Sequence, residues 1–320
     1  MKFDLVAEGG GCKIPALAGA YEAIISKGFQ PSHCAGTSAG AIVSSCVSAG
    51  YRPDELKTLL MNTDFNIFKD SSQWRIWQFI NLVRRNGVFN GDEFYKYIKH
   101  LLAEKGVHTF KDLRDPNAED VRYTYRFTCL ASDITSGSLI SLPGDLPEYG
   151  LDPDEFEVAM AVRMSMSIPF FFKPIYLENK LADSQWYGKK HMIVDGGMIS
   201  NYPIWIWDSE DEPAWPTFGL LLYADKENQP VKTSNPINAA VAMFQTMLKA
   251  NDKTFVRPDD FINRTISIPT GNVSSIDFDL TNARKGVLYR SGLNTANEFL
   301  NQWSWNRYKR WAINSRSRNL

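Results

Sequence analysis

The sequence predicts an α/β protein in which a largely parallel sheet is covered by helices. Two strand–glycine turn–helix units follow one another within the first 50 residues. Further strand-like and helix-like stretches then alternate along the chain, the pattern of parallel strands joined by crossover helices. The composition allows a large core, since 44% of the 320 residues are hydrophobic and 22% charged, close to a globular average.

Residues 3–7 read as a short buried strand broken by Glu8-Gly9-Gly10-Gly11. Pro15 suits the first turn of a helix, on which Leu17, Ala18, Tyr21, Ile24 and Ile25 recur at helical spacing before Gly28. Residues 33–35 form a second strand running into Gly36-Thr37-Ser38-Ala39-Gly40, and Ile42, Val43, Cys46 and Val47 line one face of the next helix. Residues 54–105 read as mainly helical, opened by Pro53. Alternation of Tyr123, Tyr125, Phe127, Cys129 and Ala131 predicts a strand over 123–131, and residues 154–166 a helix ended by Ile168-Pro169. Strands are expected at 192–194, 220–223 and around Ile266 and Ile268. Asn235-Pro236 opens a helix carrying Ile237, Val241, Phe244 and Leu248, and residues 281–300 form a long last helix. Loops fall at 143–154, 178–190, 208–216 and 225–236. With no repeat, low-complexity stretch or linker, the chain reads as one domain over 1–320, its core at about 3–300 and a basic, aromatic tail at 301–320.

A net charge of -1 supplies no global field for nucleic acid. No run reaches the roughly 18 apolar residues of a membrane span. Met1-Lys2-Phe3-Asp4 is followed by no secretory h-region. Cys12, Cys34, Cys46 and Cys129 lack metal-ligand spacing, so a reduced, cytoplasmic protein without metal or cofactor is expected.

Three local signals carry chemistry. In Gly36-Thr37-Ser38-Ala39-Gly40, glycines two positions either side of a serine allow the sharp strand–turn–helix that exposes a nucleophilic hydroxyl. A chain of this length meets such a pattern by chance on the order of one time in ten, so the flanking strand and helix matter. Gly9-Gly10-Gly11-Cys12-Lys13 is a loop whose backbone N–H groups can approach a carbonyl oxygen that gains negative charge. It matches neither dinucleotide nor Walker phosphate loops, though an ordinary strand–helix turn also fits it. Asp195-Gly196-Gly197 delivers a carboxylate to a turn, where it can accept a proton, although Asp-Gly is a common turn dipeptide. Histidine does not complete a triad. His33 lies in the strand before Ser38, no histidine follows His191, and His33, His100, His108 and His191 all read as structural or solvated. An aspartate acting directly as base is the better reading.

Together the three motifs, in this order and at this wide separation, resemble the patatin-like phospholipase family. The stretch 161–169 with Phe172 and Pro174 resembles the segment that precedes that family's aspartate motif, and the likeness covers about residues 3–300. The resemblance implies a three-layer α/β/α fold with a central, mostly parallel sheet, no metal, and hydrolysis of phospholipid or lysophospholipid acyl esters by a Ser–Asp dyad. It implies Ser38 as nucleophile and Asp195 as proton acceptor. Gly10, Gly11 and Cys12 become oxyanion donors with Lys13 as supporting charge, and Gly36, Gly40, Gly196 and Gly197 the motif glycines. The sequence departs from the family at Ile14, where glycine is usual; a larger residue there bears on the acyl site and the oxyanion geometry. Peripheral membrane contact is expected through the aromatic, basic stretch 74–85 or the tail 303–318, ordinary helix packing being the competing reading of both. A non-lipid esterase or acyltransferase, and a catalytically weak interaction module, are the alternative functions. Head group, acyl position, activating partner and oligomeric state leave no mark in the sequence.

Overall fold

A computed structural model describes residues 1–69, 87–209, 211–224, 239, 242–243, 246–247, 262–275 and 277–316. The two opening units form as expected. Strand β1 (Lys2–Ala7) passes through a 3-10 turn (Gly11–Lys13) into helix α1 (Ile14–Ser26), with Pro15 in its first turn. Strand β2 (Gln30–Thr37) passes through Ser38 into α2 (Ala39–Ser48). There follow α3 (Pro53–Asn62), β3 (Gly87–Phe89), α4 (Asp92–Glu104), β4 (Phe127–Asp133), β5 (Ser138–Leu142) and α5 (Val158–Ser165). The rest are β6 (Phe170–Phe172), β7 (Ile175–Glu178), β8 (Lys190–Asp195), β9 (Thr217–Tyr223), β10 (Thr265–Pro269), α6 (Asn282–Gln302) and α7 (Trp305–Arg316).

Among the described residues eight strands make the central sheet, in the order β10-β9-β1-β2-β4-β8-β7 with β5 also on β4, while β3 and β6 pair separately. The pairs β10–β9, β9–β1, β1–β2 and β2–β4 are parallel, and β4–β5, β4–β8 and β8–β7 antiparallel. The sheet is thus mostly parallel, as read from the sequence, and helices flank it. Its strands are buried on both faces: Phe3, Leu5 and Ala7 join one apolar cluster with α1, α2 and α6, while Val6 and Ala35 join another with Tyr202, Ile204 and Trp207.

Among the described residues, 54–105 is mainly helical as expected, with β3 set between α3 and α4 to pair with β6. Two expectations need correction. The strand expected over 123–131 starts at Phe127 and runs to Asp133; Tyr123 ends a 3-10 turn (Val121–Tyr123) and packs on His33 and Trp207. The helix expected over 154–166 starts at Val158, because Glu157 is extended and bridges Thr109. In the tail, whose competing readings are membrane contact and helix packing, the described residues pack on the fold: Trp303 packs edge-on against Phe29 and Phe218, and the buried Tyr308 hydroxyl accepts the Thr217 N–H at 3.0 Å. The aromatic stretch 74–85 and most of the helix expected from Asn235-Pro236 lie outside the described residues.

Candidate active site

The site forms where β1 and β2 end. The two strands run parallel with Ala7 opposite Gly36, so the glycine loop leaving β1 and the turn leaving β2 are neighbours at the carboxyl edge of the sheet, the usual ligand crevice of such folds. Ser38 is held at φ 54° and ψ -123°. Among the described residues only Ser38 and Phe170 are non-glycines with positive φ, and a bulky or branched residue resists that region. Packing imposes the turn. A Cβ on Gly40 would sit 2.1 Å from the Ala7 carbonyl oxygen, and one on Gly36 2.4 Å from the Gly40 backbone. Only glycine at both positions lets α2 start this close to β1. Ser38 thereby stands at a helix N-terminus, where the partial positive charge favours an anionic oxygen. Its N–H donates to Ser165 Oγ at 2.9 Å and its hydroxyl to Met166 Sδ at 3.2 Å.

Strand β4 sets the second group beside the first. Thr37 of β2 is opposite Leu130, and Asp195 of β8 is opposite Ala131. Because β5 occupies the other edge of β4 from Cys129 to Asp133, β2 and β8 share one edge, and β8 ends where β2 turns into Ser38. Asp195 N–H donates to the Ser167 carbonyl at 2.9 Å, and Asp195 Oδ1 accepts the Gly197 N–H at 2.8 Å. Gly196 is required, since a Cβ there would meet the Leu130 oxygen at 2.3 Å. Burial raises the Asp195 carboxyl from 3.8 to about 7, against the lowering effects of the Ser38 hydroxyl and the Gly197 N–H. Its Oδ2 is buried and completes no hydrogen bond while Ser38 is turned to the methionine sulfur.

In the glycine loop the Gly9 N–H donates to the Asn201 carbonyl at 3.1 Å and the Lys13 N–H to Gly10 at 3.2 Å. The Gly10 and Gly11 N–H groups make no hydrogen bond among the described residues. Cys12 corrects the expectation: its N–H donates to the Ser275 carbonyl at 2.9 Å, so two of the three foreseen donors are open. The same Ser275 oxygen would lie 1.9 Å from a Cβ on Gly11, whose φ is +54°, so glycine is obligatory there. Lys13 is half-buried at the end of the loop. Burial pushes the Cys12 thiol far up and holds Cys34 and Cys46 at about 12, leaving no thiolate to compete with the serine.

An apolar pocket of about 520 Å³, counting its open mouth, adjoins this centre. Gly11, Cys12, Met166 and Ile42 line it on the side of the loop and the serine, and Leu60, Phe68 and Phe94 among others line the rest. Ile14, the departure noted in the sequence, is a wall of this pocket and 4% exposed. The histidines stay out of the centre. His33 Nε2 contacts the Tyr123 carbonyl at 3.1 Å, His191 Nδ1 contacts Asp133 Oδ2 at 2.5 Å, and His100 and His108 are exposed. Sequence reasoning missed Glu8, Ser165, Met166, Asn201 and Ser275, which approach the centre only through the fold. Buried Arg163 supports it from outside, donating to Ser167 Oγ at 2.7 Å and to the Asn90, Gly91 and Lys173 carbonyls. Among the described residues no three His, Cys, Asp or Glu side chains converge.

Residues 5–207 match the family model described as patatin-like phospholipase. The chain is 36% identical to the uncharacterized protein YqhO of Bacillus subtilis, over 95% of this chain and 100% of that protein. It is 24% identical to a protein of Invertebrate iridescent virus 6 named "Probable lipid hydrolase", over 76% of this chain and 70% of the other. Among solved structures, VipD from Legionella pneumophila superposes with a TM-score of 0.54 at 17% identity, over 93% of this chain and 66% of that one, a likeness of fold.

Proposed function

The chain belongs to the patatin-like phospholipase family, and from that premise we propose that it is a lipid acyl hydrolase of phospholipase A or lysophospholipase type, with Ser38 as nucleophile and Asp195 as proton acceptor. The observation that carries this reading is the meeting of Ser38 and Asp195 on one edge of β4, beside two open N–H groups and an apolar pocket.

The cycle follows from that arrangement. Ser38 Oγ turns from Met166 to Asp195, gives up its proton to the carboxylate and attacks the ester carbonyl. The Gly10 and Gly11 N–H groups face the oxygen that becomes negative, and the acyl chain lies in the pocket walled by Ile14 and Ile42. Collapse of the tetrahedral intermediate expels the alcohol or lysolipid, which takes the proton back from Asp195. Water, deprotonated by Asp195, then attacks the acyl-Ser38 ester; the fatty acid leaves and the serine regains its proton. A carboxyl raised to about 7 is matched to this exchange near neutral pH. The whole chain acts as one domain in this reading and meets its substrate by peripheral contact with a membrane. No described helix is long and apolar enough to cross one.

The pocket favours a lipid acyl chain over the short acyl group of a soluble esterase substrate. The test is fatty acid release from vesicles of phosphatidylcholine and lysophosphatidylcholine against release from a short soluble ester. Release from at least one lipid, abolished by Ser38→Ala, is expected. Turnover of the soluble ester alone would move the assignment to the non-lipid esterase.

A further inference from the structure

On the hydrolase reading, the rate depends on where two backbone N–H groups point, and one buried side chain fixes one of them. Asn201 holds Gly9 from both sides: its backbone carbonyl accepts the Gly9 N–H at 3.1 Å, and its side-chain Nδ2 donates to the Gly9 carbonyl at 3.2 Å. The Gly9–Gly10 peptide is trans, and in a trans peptide the carbonyl and the next N–H point to opposite sides. The bond that draws the Gly9 carbonyl toward Asn201 therefore turns the Gly10 N–H away from it. A Cβ on Gly9 would lie 2.3 Å from Asn201 Oδ1 and 3.1 Å from Ser38 Cβ, so the held peptide lies against the nucleophile itself.

Asn201 is in turn fixed by Glu8. Its Nδ2 donates to Glu8 Oε1 at 2.9 Å, while Glu8 Oε2 accepts the Leu222 N–H from β9. Both side chains are buried. Both carboxyl oxygens of Glu8 are thus occupied by N–H donors, one from Asn201 and one from β9. The segment carrying Asn201 also carries the base. It begins at Asp195, turns through the Ser200 N–H to Gly196 bond at 2.9 Å, and receives Thr37 Oγ1 on the Ser200 carbonyl at 3.1 Å. Nucleophile strand, base and glycine loop thus share one connector.

We propose that Asn201, itself fixed by Glu8, is a positioning residue that aims the Gly10 N–H at the developing oxyanion. The proposal rests on the hydrolase reading. Its test is the turnover of p-nitrophenyl butyrate by the full chain and its Asn201→Ala, Glu8→Gln, double and Ser38→Ala variants, with circular dichroism melts. Displacing one oxyanion donor lowers kcat by about 10²-fold, so Asn201→Ala is expected to lose that much with KM within about threefold and the midpoint of the pH profile unmoved. Glu8→Gln is expected to lose about tenfold. Because Glu8 acts through Asn201, the double variant should be no slower than Asn201→Ala, whereas independent roles multiply. Should Asn201→Ala fail to fold, Asn201→Ser is read the same way. A kcat for the Asn201 variant within threefold of wild type, or a double variant slowed about 10³-fold, overturns the proposal while Ser38-dependent turnover leaves the hydrolase reading intact. Wild-type turnover equal to that of Ser38→Ala, on this ester and on the phospholipid and lysophospholipid vesicles alike, overturns both.

Discussion

At the scale of single residues, the proposed mechanism asks one carboxyl to be both buried and a base, and the two demands pull in opposite directions. Burial raises Asp195 toward 7, so the folded protein favours its protonated form, whereas catalysis needs the ionised one. For a group raised in this way, the contribution to stability is full below the ordinary value of 3.8 and is lost as pH rises through about 7. Two outcomes follow for Asp195→Asn. Turnover falls by about 10²–10⁴-fold, and a value within threefold of wild type would remove Asp195 from the mechanism. The melting temperature rises by about 3 °C at pH 8 and by under about 1 °C at pH 5; a lower Tm at pH 8 would show that ionised Asp195 stabilises the fold. In the wild type kcat/KM climbs with pH to a plateau above about 7, one proton being lost.

At the scale of elements, glycines decide how closely the chain packs. A Cβ on Gly292 of α6 would fall 1.8 Å from the Ala16 oxygen of α1, and one on Gly19 2.0 Å from the Tyr289 oxygen, so the two helices meet backbone to backbone. Gly292→Ala is expected to destabilise by about 1–3 kcal/mol through overpacking. Gly286→Ala in the same helix, whose new Cβ would find only the end of Arg290 at 3.4 Å, should be neutral or slightly stabilising. Equal melting temperatures for the two variants would contradict the close crossing. Ile14 belongs to this scale too, as the residue by which α1 walls the pocket. Each further methylene that finds room there is worth about 0.8 kcal/mol, roughly fourfold. Ile14→Ala should therefore raise kcat/KM for long-chain over medium-chain esters, and an unchanged ratio would place the acyl chain elsewhere. Elements with local causes were legible in the sequence: the β1–α1 and β2–α2 turns follow from their glycines and Pro15, and α6 reads as the long helix over 281–300. Strands β5 and β7 were not. Their pairing partners lie on other segments, and their few residues carry no period long enough to read.

Across the whole molecule, the order of the three motifs was readable, but their convergence is a property of the sheet. It takes β4, with β5 on its far edge, to bring the end of β2 and the end of β8 to adjacent places. The same long reach explains what the sequence hid. The Cys12 N–H looks as open as its neighbours until the chain returns with Ser275, and Glu8 and Asn201 bear no local mark of their contact. The aromatic tail read as a candidate membrane contact because aromatic and basic residues suit lipid and helix packing alike; α7 turns Tyr308 inward. The central claim is that this convergence makes Ser38 a nucleophile activated by Asp195. Its most direct test is incubation with a fluorophosphonate at pH 8, followed by peptide mass spectrometry of wild type and Asp195→Asn. The account predicts a single stoichiometric adduct on Ser38, formed at least about 10²-fold more slowly in the variant. A folded wild-type protein with no label on Ser38, or equal labelling rates in the two proteins, would contradict it.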